Sequence, residues 1–198
     1  VLITCIWAPI TLFAFPYIRH EGRDRQFFGF YTMTLGILAG LAMAKNFVTL
    51  YMFFEMMSLI TVPLVLHSGT AASRRAGFQY LGYSVFGAGM ALAGYFFVAY
   101  YMATPDFIHG GAIDPVKAAE HRPMLLVVYF LMIVGFGCKA GMMPMQAWLP
   151  AAHPVAPAPA SAVLSGVITK GGVLAILRIT YYMYGVDFLS GTWPQYVL

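Results

Sequence analysis

Long apolar runs, separated by short polar stretches, dominate this chain. Each run approaches the roughly 20 residues that a helix needs to cross a bilayer. Their approximate bounds are residues 1–18, 27–44, 47–66, 76–103, 123–143 and 159–184. The main polar connections between them are residues 19–25, 67–75 and 104–122. The pattern predicts an all-α fold, a polytopic transmembrane bundle of about six helices.

The stretch between the fifth and sixth runs differs from the other connections. Within residues 144–158 the chain carries Pro144, Pro150, Pro154 and Pro157, and this density of proline interrupts regular helix. The stretch nevertheless stays apolar, with Trp148 and Leu149 among its residues. We therefore expect a broken helix that partly re-enters the membrane, where protein or a wet cavity must cover its backbone.

Composition supports a membrane protein. Hydrophobic residues make up 61% of the chain, charged residues only 9%, and the mean hydropathy is +0.77. A soluble domain carries about 25% charged residues. A chain with so few charges cannot cover a water-facing surface, so the lipid bilayer must be its main solvent. The net charge of +4 is spread over loops, which gives no basic patch for nucleic acid.

The arginines and lysines are distributed unequally between the two ends of the predicted bundle. One end receives Arg19, Arg23, Arg25, Arg74 and Arg75, and the other receives Lys45, Lys117, Arg122 and Arg178. Because positive residues accumulate in cytoplasmic loops, the first end is predicted to be cytoplasmic.

Three charged residues inside the predicted spans are candidates for a functional role. Glu55 lies about eight residues into its helix, Lys170 about eleven residues into the last one, and Lys139 late in the fifth run. A charged side chain at the bilayer centre costs roughly 2.5–3.5 kcal/mol on insertion scales. Such residues are therefore candidates for a functional site, although a neutral, hydrogen-bonded Glu55 or a snorkelling Lys139 would be structural alternatives.

A histidine lies in the proline-rich break. His153 changes charge between about pH 5 and 8, which suits a proton relay beside Lys170. The alternative is a loop histidine that caps backbone groups. Ser161, Ser165 and Thr169, on the same predicted helix as Lys170, could hold waters or make ordinary interhelical hydrogen bonds.

An acid and a lysine on different helices can form a switch. When Glu55 and Lys139 are close, the lysine stays charged; when they separate, loss of solvation favours release of its proton. Residues Glu55, Lys139, Lys170 and His153 are therefore predicted to conduct protons or sodium ions. The sequence shows no P-loop, dinucleotide fingerprint, HExxH or CxxC motif, and Cys5 and Cys138 lie in apolar runs. We expect no metal or redox cofactor on this chain.

Two stretches resemble a known family. Residues 135–178, which contain GFGCKAGMMPMQAWLPAAHPVAPAPAS, resemble the signature region of the antiporter-like subunits of respiratory complex I, Mrp-type sodium/proton antiporters and membrane-bound hydrogenases. Residues 45–66 resemble the glutamate-bearing helix of that family. The two stretches cover about a third of the chain.

The resemblance implies a fold of fourteen helices with inverted five-helix repeats and a broken helix. Glu55, Lys139, Lys170 and His153 match the charged positions of the family. Some members carry an acid before the alanine-histidine pair, where this chain has Ala151. The chain opens on Val1 inside an apolar run. We interpret residues 1–198 as a partial transmembrane ion-translocation domain, most of the first repeat, with N- and C-terminal parts of the parent protein missing.

The resemblance also implies partners. These are other membrane subunits of a multisubunit complex and a peripheral redox arm where the complex is redox-driven; the chain itself would be a non-redox subunit of a proton-pumping oxidoreductase. Its location would be a bacterial or archaeal plasma membrane or an organellar inner membrane. Two alternatives stay open: a non-conducting structural or assembly subunit, and a stand-alone transporter of a small solute.

Overall fold

The first four predicted spans are helices. The computed structural model describes residues 1–21 and 23–197, so Gly22 of the first polar connection and Leu198 lie outside it. Helix α1 spans Leu2–Glu21, α2 Asp24–Ala42, α3 Phe47–Val65 and α4 Ala71–Val98. The predicted connection at residues 67–75 is too long: the Thr70 side chain accepts from Ser73 N at 3.1 Å and begins α4 there.

The second half contains the predicted helix break. A short helix α5, Pro115–Ala118, precedes α6, Arg122–Ala140, and a 3₁₀ turn, Met145–Ala147, leads into the short helix α7, Trp148–Ala152. A helix then runs through residues 158–184. It consists of α8 Ala158–Val163, a π turn Leu164–Ile168, α9 Thr169–Arg178 and a π turn Ile179–Tyr184. The short helices α10, Val186–Leu189, and α11, Pro194–Val197, follow. Residues 1–21 and 23–197 contain no strand beyond isolated bridges.

Five of the helices in the described ranges are long and apolar enough to cross a membrane: α1, α3, α4, the α6–α7 region and residues 158–184. Helix α2 falls short of that criterion because its first turn carries Asp24, Arg25 and Gln26. It is still 19 residues long and packs along α3. Six helical segments are therefore long enough to match the expected number of about six spans. Five of them are also apolar enough to cross a membrane.

Helix α6 lies at the centre of the bundle. It packs against α4 on one side and α9 on another, and Phe136 meets the Phe54 ring of α3 edge to face at 4.9 Å. Gly172 of α9 lies against the backbone at Phe136 and Ala140. Small residues let membrane helices approach closely where lipid gives no hydrophobic drive, and α6 is enclosed as a result.

The contact between α4 and α6 is made by two glycines. A Cβ added to Gly87 would overlap the carbonyl oxygen of Gly135 and lie 2.6 Å from Cys138 Cβ, and one added to Gly135 would meet Ala91 N at 3.0 Å. Further along, Gly94 faces Met132. Positions rise along α4 as they fall along α6, so the two helices are antiparallel.

Because successive spans alternate in direction, the connections after α2 and α4 and the end of the last long helix lie at the same end of the bundle. Lys45 Nζ lies 2.7 Å from Asp106 Oδ2, and the carboxylate raises the pKa of Lys45 through this hydrogen bond and its charge. Ile108 N and Ala112 N donate to Tyr182 O and Met183 O, at 3.2 and 2.7 Å. These carbonyls belong to the terminal π turn, so the loop satisfies acceptors at the helix end. The assignment of this end as non-cytoplasmic stays a prediction.

We expect Gly87→Ala to destabilise the protein by about 1–3 kcal/mol, because an added methyl group overpacks the α4–α6 contact. Thermal unfolding in detergent measures the effect. The matched control is Gly89→Ala on the same helix, where an added Cβ meets nothing within 4 Å. Equal melting temperatures for the two variants would contradict the assigned contact.

Candidate functional site

Lys139 is the most deeply buried charged residue that the sequence predicts for the site. Its side chain is 1% exposed, near the C-terminal end of α6. Its Nζ donates to Ser58 Oγ of α3 at 3.0 Å, to Ser84 Oγ of α4 at 3.2 Å and to the hydroxyl of Tyr80 of α4. Three helices therefore meet at this amine.

These hydroxyls match the donors of a lysine. An ammonium group has three N–H donors and no acceptor, and Ser58, Tyr80 and Ser84 supply three oxygen atoms. Behind them, Thr61 Oγ1 lies 2.6 Å from the Tyr80 hydroxyl. We call Ser58, Thr61, Tyr80 and Ser84 the hydroxyl cage. All four are buried, so the surrounding water does not contact these groups.

The broken helix is fixed against the same cage. Trp148 Nε1 donates to Cys138 O at 2.7 Å, beside Lys139, and the Trp148 ring lies 4.9 Å from the ring of Tyr80. Gly141 ends α6 with φ +80°, a left-handed conformation that favours glycine. The indole satisfies a carbonyl that the ending helix leaves without an intrahelical donor, and it holds Tyr80 beside the lysine.

Glu55 is not in direct contact with Lys139, and such a separated arrangement is one of the two states of the predicted switch. It is half-buried on α3 and accepts from the Tyr51 hydroxyl at 3.3 Å. Among the side chains that the structure describes, the single ion pair is Lys45–Asp106. Ser58, one turn beyond Glu55 on α3, takes the position against the amine. The acid therefore lies one turn from the cage residue Ser58 and shares no hydrogen bond with the lysine.

Lys170 lies outside the cage and is exposed, whereas the sequence suggested a buried position. The next two residues explain this, because Gly171 and Gly172 take the inward face, against Met57 and the α6 backbone. Lys170 Nζ donates to Ser165 O at 2.5 Å in the π turn. Its side chain borders a groove of about 280 Å³ between the start of α1, the end of α2 and α9.

His153 contacts the helix that carries Lys170. It follows α7, and its Nδ1 lies 2.6 Å from Ser161 Oγ. Ser165, one turn further on, presents the carbonyl that accepts from Lys170. His153 and Lys170 were predicted to be neighbours. In the structure they are not in direct contact, because one helical turn separates Ser161 from Ser165, the residues that they contact.

Sequence reasoning missed the hydroxyl cage. The available signal was spacing: Ser58 follows Glu55 by three residues, Thr61 follows Ser58 by three, and Ser84 follows Tyr80 by four. Residues three and four apart share one helix face. No cluster of three His, Cys, Asp or Glu side chains occurs in the described part of the chain, so the site offers its hydroxyls, amines and one acid.

A comparison with known families identifies the family to which the chain belongs. A family model described as NADH:quinone oxidoreductase/Mrp antiporter, transmembrane, matches residues 44–198. The chain belongs to this family. The match includes all four predicted site residues and the whole hydroxyl cage. As a member of this transmembrane family with apolar spans, the chain is an integral membrane protein.

Individual relatives agree with this membership. Hydrogenase-4 component B of Escherichia coli is 31% identical over 195 residues, covering 96% of this chain and 27% of the relative. A Na(+)/H(+) antiporter subunit of Alkalihalophilus pseudofirmus is 28% identical over 188 residues, covering 94% of this chain and 38% of the relative. This chain thus spans well under half the length of these relatives.

Solved structures share the fold. A chain of the membrane-bound sulfane sulfur reductase, an archaeal respiratory membrane complex, superposes with a TM-score of 0.75 at 20% identity, covering 90% of this chain and 36% of that one. A chain of the Mrp complex from Dietzia gives a TM-score of 0.71 at 19% identity, covering 90% of this chain and 34% of that one. The helical membrane fold expected from the resemblance is confirmed.

We expect Trp148→Phe to loosen the broken helix. The variant keeps a ring beside Tyr80 but leaves the buried Cys138 carbonyl without its donor, at a cost of about 1–3 kcal/mol. In a background where Cys138 is the single cysteine, maleimide labelling of this buried thiol should become faster. Trp193→Phe, at an exposed tryptophan, is the control and should label as slowly as the parent. Unchanged labelling in Trp148→Phe would show that the indole does not anchor the break.

Proposed function

We propose that this chain is part of an antiporter-like membrane subunit that translocates protons or sodium ions through Glu55, Lys139, Lys170 and His153. The observation that carries the proposal is the position of Lys139, 1% exposed where three membrane helices meet. A static structural role would be served better by apolar packing, because an intramembrane charge is costly. The hydroxyl cage holds the amine without a carboxylate in contact, which leaves its charge sensitive to nearby groups.

The arrangement supports a mechanism based on charge. With its three N–H donors satisfied by neutral hydroxyls, Lys139 has no ion-pair partner in contact. A movement that brings the Glu55 carboxylate nearer stabilises the ammonium form, and a movement away favours release of a proton. His153, through Ser161, and Lys170, on the exposed side of α9, would pass protons between this amine and the rest of the path.

The relatives support a setting for this activity. The relatives named above include a hydrogenase component and a sodium/proton antiporter subunit, and the structural neighbours come from multisubunit membrane complexes. By analogy, residues 1–198 would form one part of an ion-translocating subunit that assembles with other membrane subunits. Any redox reaction that drives transport would belong to a peripheral arm on other subunits.

The direct test is Lys139→Ala in the full-length protein in its native membrane. Inverted vesicles with a fluorescent pH-gradient dye should show transport reduced to the level of vesicles without the protein. The cage hydroxyls retain partners, since Ser58 Oγ also contacts Phe54 O at 3.1 Å and Tyr80 contacts Thr61, so the variant should still fold. Repeating the assay with and without sodium distinguishes proton from sodium transport.

Lys117→Ala is the matched control, because Lys117 is exposed on the short helix α5 at one end of the bundle, and this variant should leave transport unchanged. Full transport by a normally assembled Lys139→Ala protein would reject the proposed function.

Glu55→Gln separates transport from a purely structural subunit. If Glu55 modulates the charge of Lys139, the variant should lose most transport while the protein assembles normally, since glutamine can still accept from Tyr51. Glu120→Gln, at an exposed loop acid, is the control. Intact transport with reduced amounts of assembled protein would instead favour the structural alternative, and blue-native electrophoresis measures that assembly.

A further inference from the structure

We propose that Tyr80 and Thr61 form a reversible hydrogen-bond pair that keeps Lys139 in one position in both of its protonation states. Tyr80 would thus be a positioning residue for ion translocation, acting together with Thr61, which does not contact the lysine. This inference rests on the proposed function of Lys139. It adds a second requirement, that the amine gains and loses its proton without leaving the cage.

The charged state uses the hydroxyls as acceptors. The ammonium donates to Ser58, Ser84 and Tyr80. Because the Tyr80 oxygen accepts from the lysine, its own O–H must donate elsewhere, and Thr61 Oγ1 lies 2.6 Å away. The Thr61 hydroxyl can then donate to the carbonyl of Met57, at 2.7 Å, or to that of Ser58, at 3.1 Å. The donors of Lys139, Tyr80 and Thr61 therefore each have an acceptor when Lys139 is charged.

When Lys139 is neutral, one of its hydrogen bonds must reverse direction. A neutral amine has a lone pair and only two N–H donors, so one hydroxyl must donate to it. Tyr80 can turn its O–H toward Nζ, provided that another group donates to the oxygen it exposes. Thr61 can do so by turning its hydroxyl from Met57 O to Tyr80. Both changes are rotations of O–H groups, with no displacement of heavy atoms.

Burial favours such a pair. Tyr80 and Thr61 are both 0% exposed, so water cannot replace a missing partner, and an unsatisfied buried donor is costly. Trp148 packs against the Tyr80 ring and holds it in place. Ser58 is less suited to the same reversal, because its hydroxyl already lies against Phe54 O.

The charged and titratable groups around Lys139 are few. Helix α3 contributes Glu55, one turn before Ser58; α4 contributes Tyr80; and α6 contributes the adjacent thiol of Cys138. From the following elements, His153 contacts Ser161 and Lys170 contacts Ser165, so neither makes a direct hydrogen bond to the cage. Glu55 is the one carboxyl group among them, and it is left unchanged in the test.

The test is a double-mutant cycle in the full-length protein, with transport in inverted vesicles measured over a range of pH. Tyr80→Phe keeps the ring and removes the hydroxyl; Thr61→Val keeps the shape and removes the hydroxyl. Each should move the pH profile to lower pH, by about one unit for Tyr80→Phe, because bonds to the charged amine are about twice as strong as neutral ones. At a pH where the parent is active, Tyr80→Phe should reduce transport about tenfold. Thr61→Val should have no further effect when Tyr80 is already Phe, since it acts through Tyr80.

The chain offers a matched control pair. Tyr129 OH lies 3.0 Å from Thr180 Oγ1, between α6 and the end of the long helix, remote from the cage. Tyr129→Phe and Thr180→Val should leave the pH profile unmoved. Should Tyr80→Phe fail to assemble, Thr61→Val alone still tests the inference through its pH profile.

Two results would overturn the inference. Unmoved pH profiles in both cage variants, with transport abolished in Lys139→Ala, would reject this inference and leave the proposed function standing. Fully additive effects in the double variant would show that Thr61 does not act through Tyr80. Normal transport by Lys139→Ala would instead reject the proposed function on which the inference rests.

Discussion

The three N–H donors of Lys139 must be satisfied by protein, because the bundle buries this amine away from water. This requirement is met by the close approach of α4 and α6. Gly87 and Gly135 touch; in antiparallel helices, Ser84 lies three residues before Gly87 and Lys139 four residues after Gly135. One glycine contact therefore brings Ser84 level with the lysine, and Tyr80 one turn beyond it. A larger side chain at either glycine would separate the amine from its oxygen atoms.

At the helix break, backbone groups must also have their hydrogen bonds satisfied by protein. A helix that ends within the membrane exposes carbonyls that lipid cannot satisfy. Here Met142 N donates to Gly137 O at 2.9 Å and Trp148 Nε1 donates to Cys138 O. Gly141 supplies the left-handed turn that makes the first of these bonds possible. The residues that end α6 thus also fix the wall of the lysine site.

The sequence was most informative where a single property decides the structure. Hydropathy predicted the spans, and proline density predicted the break, because lipid imposes helix on almost any long apolar run. The position of Lys139 inside an apolar helix could likewise be recognised from the sequence alone. The start of α4 was misplaced because the capping of Ser73 N by Thr70 depends on a local hydrogen bond.

Relations between helices were not predictable in the same way. The sequence contains Ser58, Tyr80 and Ser84, but nothing in one chain shows that α3 and α4 turn these hydroxyls toward α6. Glu55 was expected to pair with Lys139 in one state of a switch, but nothing in the sequence showed that Ser58 occupies the position against the amine. Lys170 was expected to be buried because of its depth along the helix, whereas Gly171 and Gly172 take the packed face.

The separation of Glu55 from Lys139 has a consequence for how the proposed switch would work. Because hydroxyls satisfy the hydrogen bonds of the lysine, the acid is needed only for its charge. Coulomb energy falls as the inverse of distance, whereas a hydrogen bond is lost within a fraction of an ångström. An acid that acts through its field can therefore change the charge of the lysine gradually, without breaking and remaking a contact. In the proposed switch, the cage would keep the geometry of the amine constant while Glu55 would change its electrostatic surroundings.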